Sequence, residues 1–404
     1  MGGRNVAVVG GGVVGTAIAL WLRRRGMDVV LVDRDRPGSG CSSGNSGALS
    51  PGSVAPLAMP GVIASVPRML LDPESPLHLP LGYLPRAAPW LAKFVLSARP
   101  AQVARAAARL DALHRGAIAM HRRLTREIGV PELFMQRGHL HLYPDEAALA
   151  KDRAGWALRE AYGYSAEKLG RDGILALEPR IPEGYRIGMH LGDHATILQP
   201  RRYVEAMADA FAAAGGEYER AEVGALDRTD AGWRLRGARD RTFDQVVVAA
   251  GAWSRTLLKP FGVRLALESQ RGYHVQFDGG RDVVGRTVVL ADRKVFITPM
   301  EHGLRIGGTV EIAGLRRAPD ERRAQALERI ARESFPDLAS CPSRTWMGHR
   351  PCMPDSVPSI GQAPGHPGLW MAVGHGHLGL TDSLPTAEWI AQGVADSAWG
   401  DGTG

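Results

Sequence analysis

The chain has 404 residues, which is more than one hydrophobic core usually organises, and its hydrophobic fraction of 45% is ordinary for a globular protein. Its formal charge of +7 comes mainly from scattered arginines without a basic tail or lysine block, which argues against a nucleic-acid partner. Cys41, Cys341 and Cys352 lack the spacing of a metal site or redox pair, and no apolar stretch reaches the length of a membrane span. Composition therefore predicts a two-domain protein without metal or structural disulfides, located in the cytoplasm.

The N-terminal region alternates between strand and helix patterns. Residues 5–9 form an apolar run that predicts a buried strand, residues 16–25 predict a helix, and residues 27–32 predict a second apolar strand. Gly26 marks the end of the helix, and the arginines before it suit the negative end of the helix dipole. The order strand, helix, strand is the start of a parallel sheet.

The turn between the first strand and the helix carries the spacing Gly10-x-Gly12-x-x-Gly15. The first glycine permits a tight turn, the second lets backbone approach a pyrophosphate, and the third permits close packing of helix on strand. Asp33 ends the second strand 18 residues after Gly15, where its carboxylate can accept hydrogen bonds from ribose hydroxyls. Strand, turn, helix and acid together predict a dinucleotide site.

The segment 56–100 is rich in proline and apolar residues, which predicts short helices and loops that form a lid. Tyr83 and Trp90 are the aromatic residues of this lid that could shape a pocket. Residues 101–128 predict one long amphipathic helix. The later predicted elements are strands at 138–143, 217–226, 233–241, 244–248, 271–277, 287–290, 295–298, 304–306 and 369–373, and helices at 200–214, 318–334 and 381–395.

Four later segments suit a flavin dinucleotide better than a nicotinamide one. They are the small and hydroxyl residues 42–49, the strand region around Val223, the buried run 244–254 that ends in Ala-Gly, and the glycine-rich segment 374–381 before the last helix. The residues predicted to bind FAD are Gly10, Gly12, Val13, Val14, Gly15, Asp33, Arg34, Ser42, Ser43, Asn45, Gly47, Leu49, Val223, Ala250, Gly251, Trp253, Gly348, Gly376, His377, Leu378, Gly379, Leu380 and Thr381.

These motifs resemble the FAD-dependent D-amino acid oxidase and dehydrogenase superfamily, and in particular the bacterial D-amino acid dehydrogenases, including members similar to D-hydroxyproline dehydrogenase. The resemblance is carried by residues 6–15 with Asp33, and by 43–51, 177–179, 192–203, 247–253, 271–274, 348–351, 354–355, 358–361 and 374–379. The chain departs from the usual pattern at Ser46, His377 and Thr381-Asp382, so the identity of the substrate stays open.

The resemblance implies an α/β fold with a Rossmann-type FAD-binding domain and a discontinuous α+β substrate domain built on an antiparallel sheet. The FAD-binding domain is expected to comprise residues 1–55, 185–255 and 340–404. The substrate or cap domain is expected to comprise residues 56–184 and 256–339. FAD is expected to be held without a covalent bond, because no cysteine lies in a context typical of covalent attachment.

The resemblance also implies that a small amino acid, with D stereochemistry preferred, gives up the hydride of its Cα to flavin N5. The resulting imine hydrolyses to a 2-oxo acid and ammonia. Arg350 matches the carboxylate-binding arginine of the family, and arginine suits that role because its fork can donate two parallel hydrogen bonds. Tyr273 is expected to cover the substrate or to pack in the core, and His349 and His375 are expected near the flavin as catalytic or structural residues.

A dehydrogenase passes its electrons to a quinone or another carrier, whereas an oxidase passes them to O₂. The apolar segment 57–98 and the positive charge would suit a peripheral contact with the inner face of the cell membrane, although a substrate lid explains the same pattern. The oligomeric state stays open.

Two other functions remain as alternatives. The first is a D-proline or cis-4-hydroxy-D-proline dehydrogenase, or an enzyme like sarcosine or glycine oxidase, because these relatives share much of the motif set. The second is a flavoprotein that acts on RNA, which the pI of about 9.6 permits but which no RNA-binding motif supports.

Overall fold

The computed structural model describes residues 5–61 and 77–397. Residues 1–4, 398–404 and 62–76, the last within the predicted lid, lie outside the described residues. The helices of the described part are α1 Val13–Arg24, α2 Leu84–Ser97, α3 Pro100–His114, α4 Ala117–Glu127, α5 Glu146–Lys151, α6 Arg153–Ala161, α7 Arg171–Leu177, α8 Pro200–Ala213, α9 Ser254–Leu258, α10 Glu321–Ser334 and α11 Ser383–Ser397. In the described ranges, no helix is long and apolar enough to cross a membrane.

The strands of the described residues fall into four sheets. In chain order they are β1 Asn5–Val9, β2 Asp28–Asp33, β3 Ala48–Leu49, β4 Leu77–His78, β5 Phe134–Met135, β6 His139–Tyr143, β7 Glu167–Leu169, β8 Ile187–Leu191, β9 Ala195–Ile197, β10 Glu217–Arg220, β11 Ala225–Thr229, β12 Gly232–Arg236, β13 Thr242–Phe243, β14 Gln245–Val248, β15 Glu268–Phe277, β16 Thr287–Leu290, β17 Val295–Pro299, β18 Leu304–Gly307, β19 Val310–Ile312, β20 Ser343–Cys352, β21 Ser359–Gln362 and β22 Leu369–Val373.

The first sheet has the strand order β10-β2-β1-β14-β22-β21, and all its pairs are parallel except β21 with β22. Helices α1, α8 and α11 pack on one face, and the small sheet of β11, β12 and β13 packs on the other together with α9. Burial on both faces explains why β1, β2 and β14 are apolar without alternation. The carboxyl ends of these parallel strands meet at one edge, which brings Gly10, Asp33 and Ala249 together.

The second large sheet has ten strands and is mostly antiparallel. Its order is β4-β19-β15-β18-β17-β16-β6-β8-β7, and β20 pairs with β15 over ten residues. One face packs against α10 through residues such as Val275, Phe277 and Leu327. Because side chains alternate along a strand, the residues between these core positions point to the opposite face, where the sheet forms the wall of a cavity.

The predicted βαβ start and the α/β fold are confirmed. The prediction of one helix over 101–128 is wrong, because Gly116 adopts a left-handed backbone with φ of 81° and separates α3 from α4. The predicted strand 217–226 is two strands in different sheets, β10 and β11. The predicted strand 233–241 ends at Arg236.

The expected domain boundaries assign two strands to the FAD-binding domain, but these strands belong to the ten-stranded sheet. β8 and β20 fall within ranges assigned to the FAD-binding domain, yet they pair with β6 and β15 of the ten-stranded sheet. The reason is that long antiparallel pairing, not chain position, decides sheet membership. The division into two domains at the expected boundaries otherwise stays a prediction.

Candidate functional site

A cavity of about 1800 Å³ lies between the carboxyl edge of the first sheet and the free face of the ten-stranded sheet. Pockets for single small ligands usually measure about 300–1,000 Å³. The cavity begins at Gly10 and Asp33, passes Gly272 and Arg350, and extends to Trp156. Its size is sufficient for a dinucleotide and a second, smaller molecule.

The glycine-rich turn is packed so closely that side chains would not fit. Gly10 has a φ of +117°, and a Cβ on it would lie 2.4 Å from the carbonyl oxygen of Ala249. A Cβ on Gly15 would lie 1.9 Å from the Gly10 carbonyl oxygen. Helix α1 begins directly after Gly12, and the N–H of Val13 donates to Ser42 Oγ at 2.9 Å. The positive end of α1 therefore faces the cavity, where it favours an anion such as a pyrophosphate.

Asp33, the acid at the end of β2, and the residues around it form one end of the predicted dinucleotide site. Asp33 Oδ2 accepts the N–H of Gly11 at 2.6 Å, and its carboxylate retains free lone pairs for a further donor. The Arg34 guanidinium lies 4.6 Å from the centre of the Trp253 ring. Val223 follows β10 and lines the cavity on the same side. The fold brings these residues from three separate sequence segments to one end of the cavity, and their contact with the adenosine half of a dinucleotide stays a prediction.

The loop between Cys41 and Leu49 is held against the ten-stranded sheet. The His274 ring lies 3.0 Å through Nδ1 from the Gly44 carbonyl oxygen, and Arg305 donates to the carbonyl oxygens of Ser43 and Asn45. The Trp346 ring stacks on His274 at 4.9 Å and leaves no room for a Cβ on Gly44.

His274, Arg305 and Trp346 were not among the predicted site residues. Burial lowers the pKa of His274 to about 3 and that of Arg305 to about 10. Their only sequence signal is a polar or aromatic residue at every second position of a strand. The three side chains fix the loop that the sequence predicts beside the cofactor.

Arg350 lies on the cavity face of β20. Its Nη1 donates to the Thr309 carbonyl oxygen at 2.9 Å, and its guanidinium lies over Gly272, where a Cβ would come within 2.1 Å of it. Burial lowers the pKa of Arg350 from its usual value. Across residues 5–61 and 77–397, no carboxylate forms an ion pair with this guanidinium, which therefore remains available to an anionic ligand.

Tyr273 and His349 point to the opposite face from Arg350, because they alternate with Gly272 and Arg350 along paired strands. The Tyr273 hydroxyl donates to Glu311 at 2.5 Å and accepts the Asp320 N–H at 2.9 Å. The structure therefore corrects the expected contact of this hydroxyl with a substrate. It places Tyr273 in the core beneath α10.

Both histidines that were predicted near the flavin, His349 and His375, form hydrogen bonds with hydroxyl groups of the protein. His349 Nδ1 lies 2.8 Å from Ser269 Oγ, and the His375 ring is buried with Nε2 3.0 Å from Thr386 Oγ1. Burial is the main cause that lowers the pKa of each ring to about 4, so both are neutral at pH 7. The ring of His375 contacts α11 through Thr386, and both His375 and His377 line the cavity.

The glycine-rich segment before α11 lines the cavity with Gly376, His377, Leu378, Gly379 and Leu380. Thr381 is buried and its Oγ1 accepts the N–H of Ser50 at 3.1 Å, so it supports the site from behind.

Next to Thr381 in the sequence, Asp382 forms a fully buried ion pair with His114 at 3.2 Å. Burial lowers the pKa of His114, but the Asp382 carboxylate and two hydrogen bonds outweigh burial, so the pKa of His114 is raised from its usual value. α11 begins at Ser383, two residues later than predicted.

The fold and cavity define a dinucleotide-binding protein with a second sheet that closes over the cofactor site. The residues present fit FAD, because a side-chain-free turn and a helix N-terminus lie next to Asp33 and a long cavity continues past the loop 41–49. A family model described as FAD dependent oxidoreductase matches residues 5–393. The chain therefore belongs to the DAO family of FAD-dependent oxidoreductases, as the motifs predicted, and its cofactor is FAD.

Several known proteins are similar to this chain over nearly their whole length. A D-amino-acid oxidase of Bradyrhizobium diazoefficiens is 38% identical, with 96% of this chain and 94% of the relative covered. D-amino acid dehydrogenase 2 of Ralstonia nicotianae is 33% identical, with 98% and 97% covered. The crystal structure of glycine oxidase from Geobacillus kaustophilus superposes with a TM-score of 0.76 at 22% identity, covering 98% of this chain and 95% of that chain, which supports the fold.

Proposed function

We propose that the protein catalyses the oxidative deamination of a small amino acid, with a D-amino acid as its preferred substrate. Arg350 is the observation that carries the proposal, because it is a half-buried guanidinium in the cavity with no carboxylate partner among residues 5–61 and 77–397. A planar guanidinium binds a carboxylate through two parallel hydrogen bonds, so it suits the α-carboxylate of an amino acid. The D-amino acid enzymes among its relatives support the stereochemical preference.

The chemistry that FAD supplies when bound is acceptance of a hydride at N5. Arg350 would hold the substrate carboxylate, and this fixes the direction of the Cα–H bond. The substrate amine releases its proton to solvent, the Cα–H bond breaks as the C=N bond forms, and water hydrolyses the imine to a 2-oxo acid and ammonia. His349 and His375 take no part in proton transfer in this scheme, since burial lowers the pKa of each to about 4, which makes both weak bases, and they are bonded to Ser269 and Thr386.

The electron acceptor is proposed to be a quinone or another carrier, reached through a peripheral contact with an anionic membrane. The support comes from α2, on which Leu84 and Leu96 are exposed, and from Leu81 just before it, which is 85% exposed. Residues 77–110 contain five basic and no acidic side chains, and apolar residues with adjacent positive charge favour an anionic membrane surface. Sedimentation with vesicles that contain anionic lipid should carry the protein down, and neutral vesicles should not.

The carboxylate role is tested by Arg350→Gln. Removing the guanidinium is expected to lower kcat/KM for the best D-amino acid about 100-fold or more, because losing one partner of a buried charge pair costs about 2–5 kcal/mol. FAD content, measured by absorbance, should stay at the wild-type level. The matched control is Arg344→Gln on the same strand, whose side chain is exposed and pairs with Asp278. An unchanged kcat/KM in Arg350→Gln would remove the basis of the proposal.

A further inference from the structure

The cavity continues across the ten-stranded sheet, away from Arg350. His274, Gly307, Phe296, Val289 and His141 lie directly opposite one another on β15, β18, β17, β16 and β6. Residues opposite one another in a sheet point to the same face, and all five line the cavity. With neighbouring strands about 4.8 Å apart, this row is roughly 19 Å long. The cavity is therefore much longer than an alanine-sized substrate requires.

The end of the row at His141 carries an excess of positive charge. Lys151, Arg159 and Lys294 line this end, together with the carboxylates of Asp152 and Asp292. The charges are three positive against two negative. We call this group the basic end of the cavity.

Both carboxylates of the basic end already have partners. Asp152 accepts the Tyr143 hydroxyl at 3.0 Å and lies 3.6 Å from Lys294 Nζ. Asp292 accepts the hydroxyl of Tyr185 at 3.1 Å. In the described part of the chain no carboxylate forms an ion pair with Lys151 or Arg159, and of these two cations Lys151 is exposed, whereas Arg159 is half-buried.

Arg159 is held in place by an aromatic ring instead. Trp156 and Arg159 lie three residues apart on α6, and the guanidinium carbon is 4.7 Å from the centre of the indole ring. This contact orients the cation without neutralising it. Burial lowers the pKa of Arg159, and burial with Arg159 and Lys294 lowers the pKa of His141 well below its usual value. The basic end thus joins a neutral imidazole to a half-buried arginine that has no ion-pair partner in the described part of the chain.

We propose that Arg159 forms a second anion-binding subsite, which selects elongated amino acid substrates with a carboxylate or another anionic group at the end remote from the reacting carbon. This inference rests on the proposed function, because it needs the α-carboxylate at Arg350. Five strand spacings separate β20 from β6, about 24 Å along the sheet, so a short acidic amino acid does not reach both arginines.

The test compares two matched pairs of substrates under anaerobic and steady-state conditions. The long pair is Nε-suberoyl-D-lysine, which ends in a carboxylate, and Nε-octanoyl-D-lysine, which has the same length and is neutral there. The short pair is D-glutamate and D-glutamine. Wild-type protein should favour the suberoyl compound over the octanoyl compound about tenfold or more in kcat/KM, mainly through KM. The short pair should show no comparable preference.

Arg159→Gln should abolish the preference within the long pair and leave kcat/KM for the octanoyl compound and for D-glutamine within twofold of wild type. Arg153→Gln is the control, because Arg153 is exposed on the same helix and does not line the cavity. If Arg159→Gln affects acidic and neutral substrates equally, or affects none, the subsite is refuted. If no amino acid reduces the flavin of the wild-type protein, the proposed function fails instead, so the two failures are distinguishable.

Discussion

Gly272 lies where a side chain would displace the substrate-binding arginine. A Cβ at this position would lie 2.1 Å from the Arg350 guanidinium carbon and 2.2 and 2.3 Å from its two terminal nitrogens. Ordinary contact begins at about 3.4 Å, so Gly272→Ala should push the guanidinium away by about 1.3 Å. The end of an arginine side chain can move by this distance while the strands stay paired. The substitution therefore tests the position of Arg350 without removing it.

A misplacement of about 1 Å in an enzyme site can cost roughly 100-fold in rate, which corresponds to about 2.7 kcal/mol of transition-state stabilisation. We expect Gly272→Ala to lower kcat/KM for D-amino acids by about this factor. FAD content and the thermal unfolding midpoint should remain close to wild type. The measurements are steady-state kinetics, FAD absorbance and thermal unfolding.

The matched control is Gly184→Ala, because a Cβ on Gly184 would meet no atom within 4 Å. This variant should behave as wild type in all three measurements. Wild-type kcat/KM in Gly272→Ala would refute the assignment of Arg350 to the substrate carboxylate. Loss of FAD from Gly272→Ala would show that the substitution acts on the fold and not on the arginine.

Three further predictions concern the cofactor site and the ion pair behind it. Gly10→Ala should yield protein that retains little FAD by absorbance, because the new Cβ would lie 2.4 Å from the Ala249 carbonyl oxygen at a φ of +117°; stoichiometric FAD would contradict this. Asp33→Asn should weaken FAD binding about 10- to 100-fold in a titration of apoprotein, since a hydrogen bond to a charged group contributes about 1.5–3 kcal/mol, and an unchanged Kd would count against the ribose contact. His114→Asn should lower the free energy of unfolding by about 3–5 kcal/mol, because it leaves Asp382 buried without its partner. The pKa of His114 is raised by folding, so its stabilising effect is complete below about pH 6.5 and is lost as pH rises through the folded pKa. Thermal midpoints of wild type and His114→Asn should converge at high pH, and a constant difference would contradict the ion-pair account.

The dinucleotide half of the site could be predicted from the sequence because its determinants are local. Gly10, Gly15 and Asp33 lie within one βαβ unit, where spacing alone decides which atoms meet. The same reasoning failed at Gly116. A single glycine inside a helical pattern is often tolerated, and only the left-handed φ in the structure shows that it ends α3.

The direction of the side chains on β20 could not be predicted. His349 and Arg350 are adjacent in sequence, so they must point to opposite faces of the sheet, but the register with β15 decides which of them shares the face of Gly272 and His274. The residues that hold the cofactor loop were missed for a related reason. His274 lies 230 positions from Gly44, and no local pattern joins them.

The central claim is that this FAD-dependent oxidoreductase takes electrons from a D-amino acid. The most direct test is to mix the purified protein, without oxygen, with D- and L-amino acids, D-proline, cis-4-hydroxy-D-proline, glycine and sarcosine while recording the flavin absorbance. We predict that D-amino acids bleach the flavin band and that their L-isomers do not. Bleaching by L-isomers, by glycine or by sarcosine alone, or no bleaching by any compound, would contradict the account.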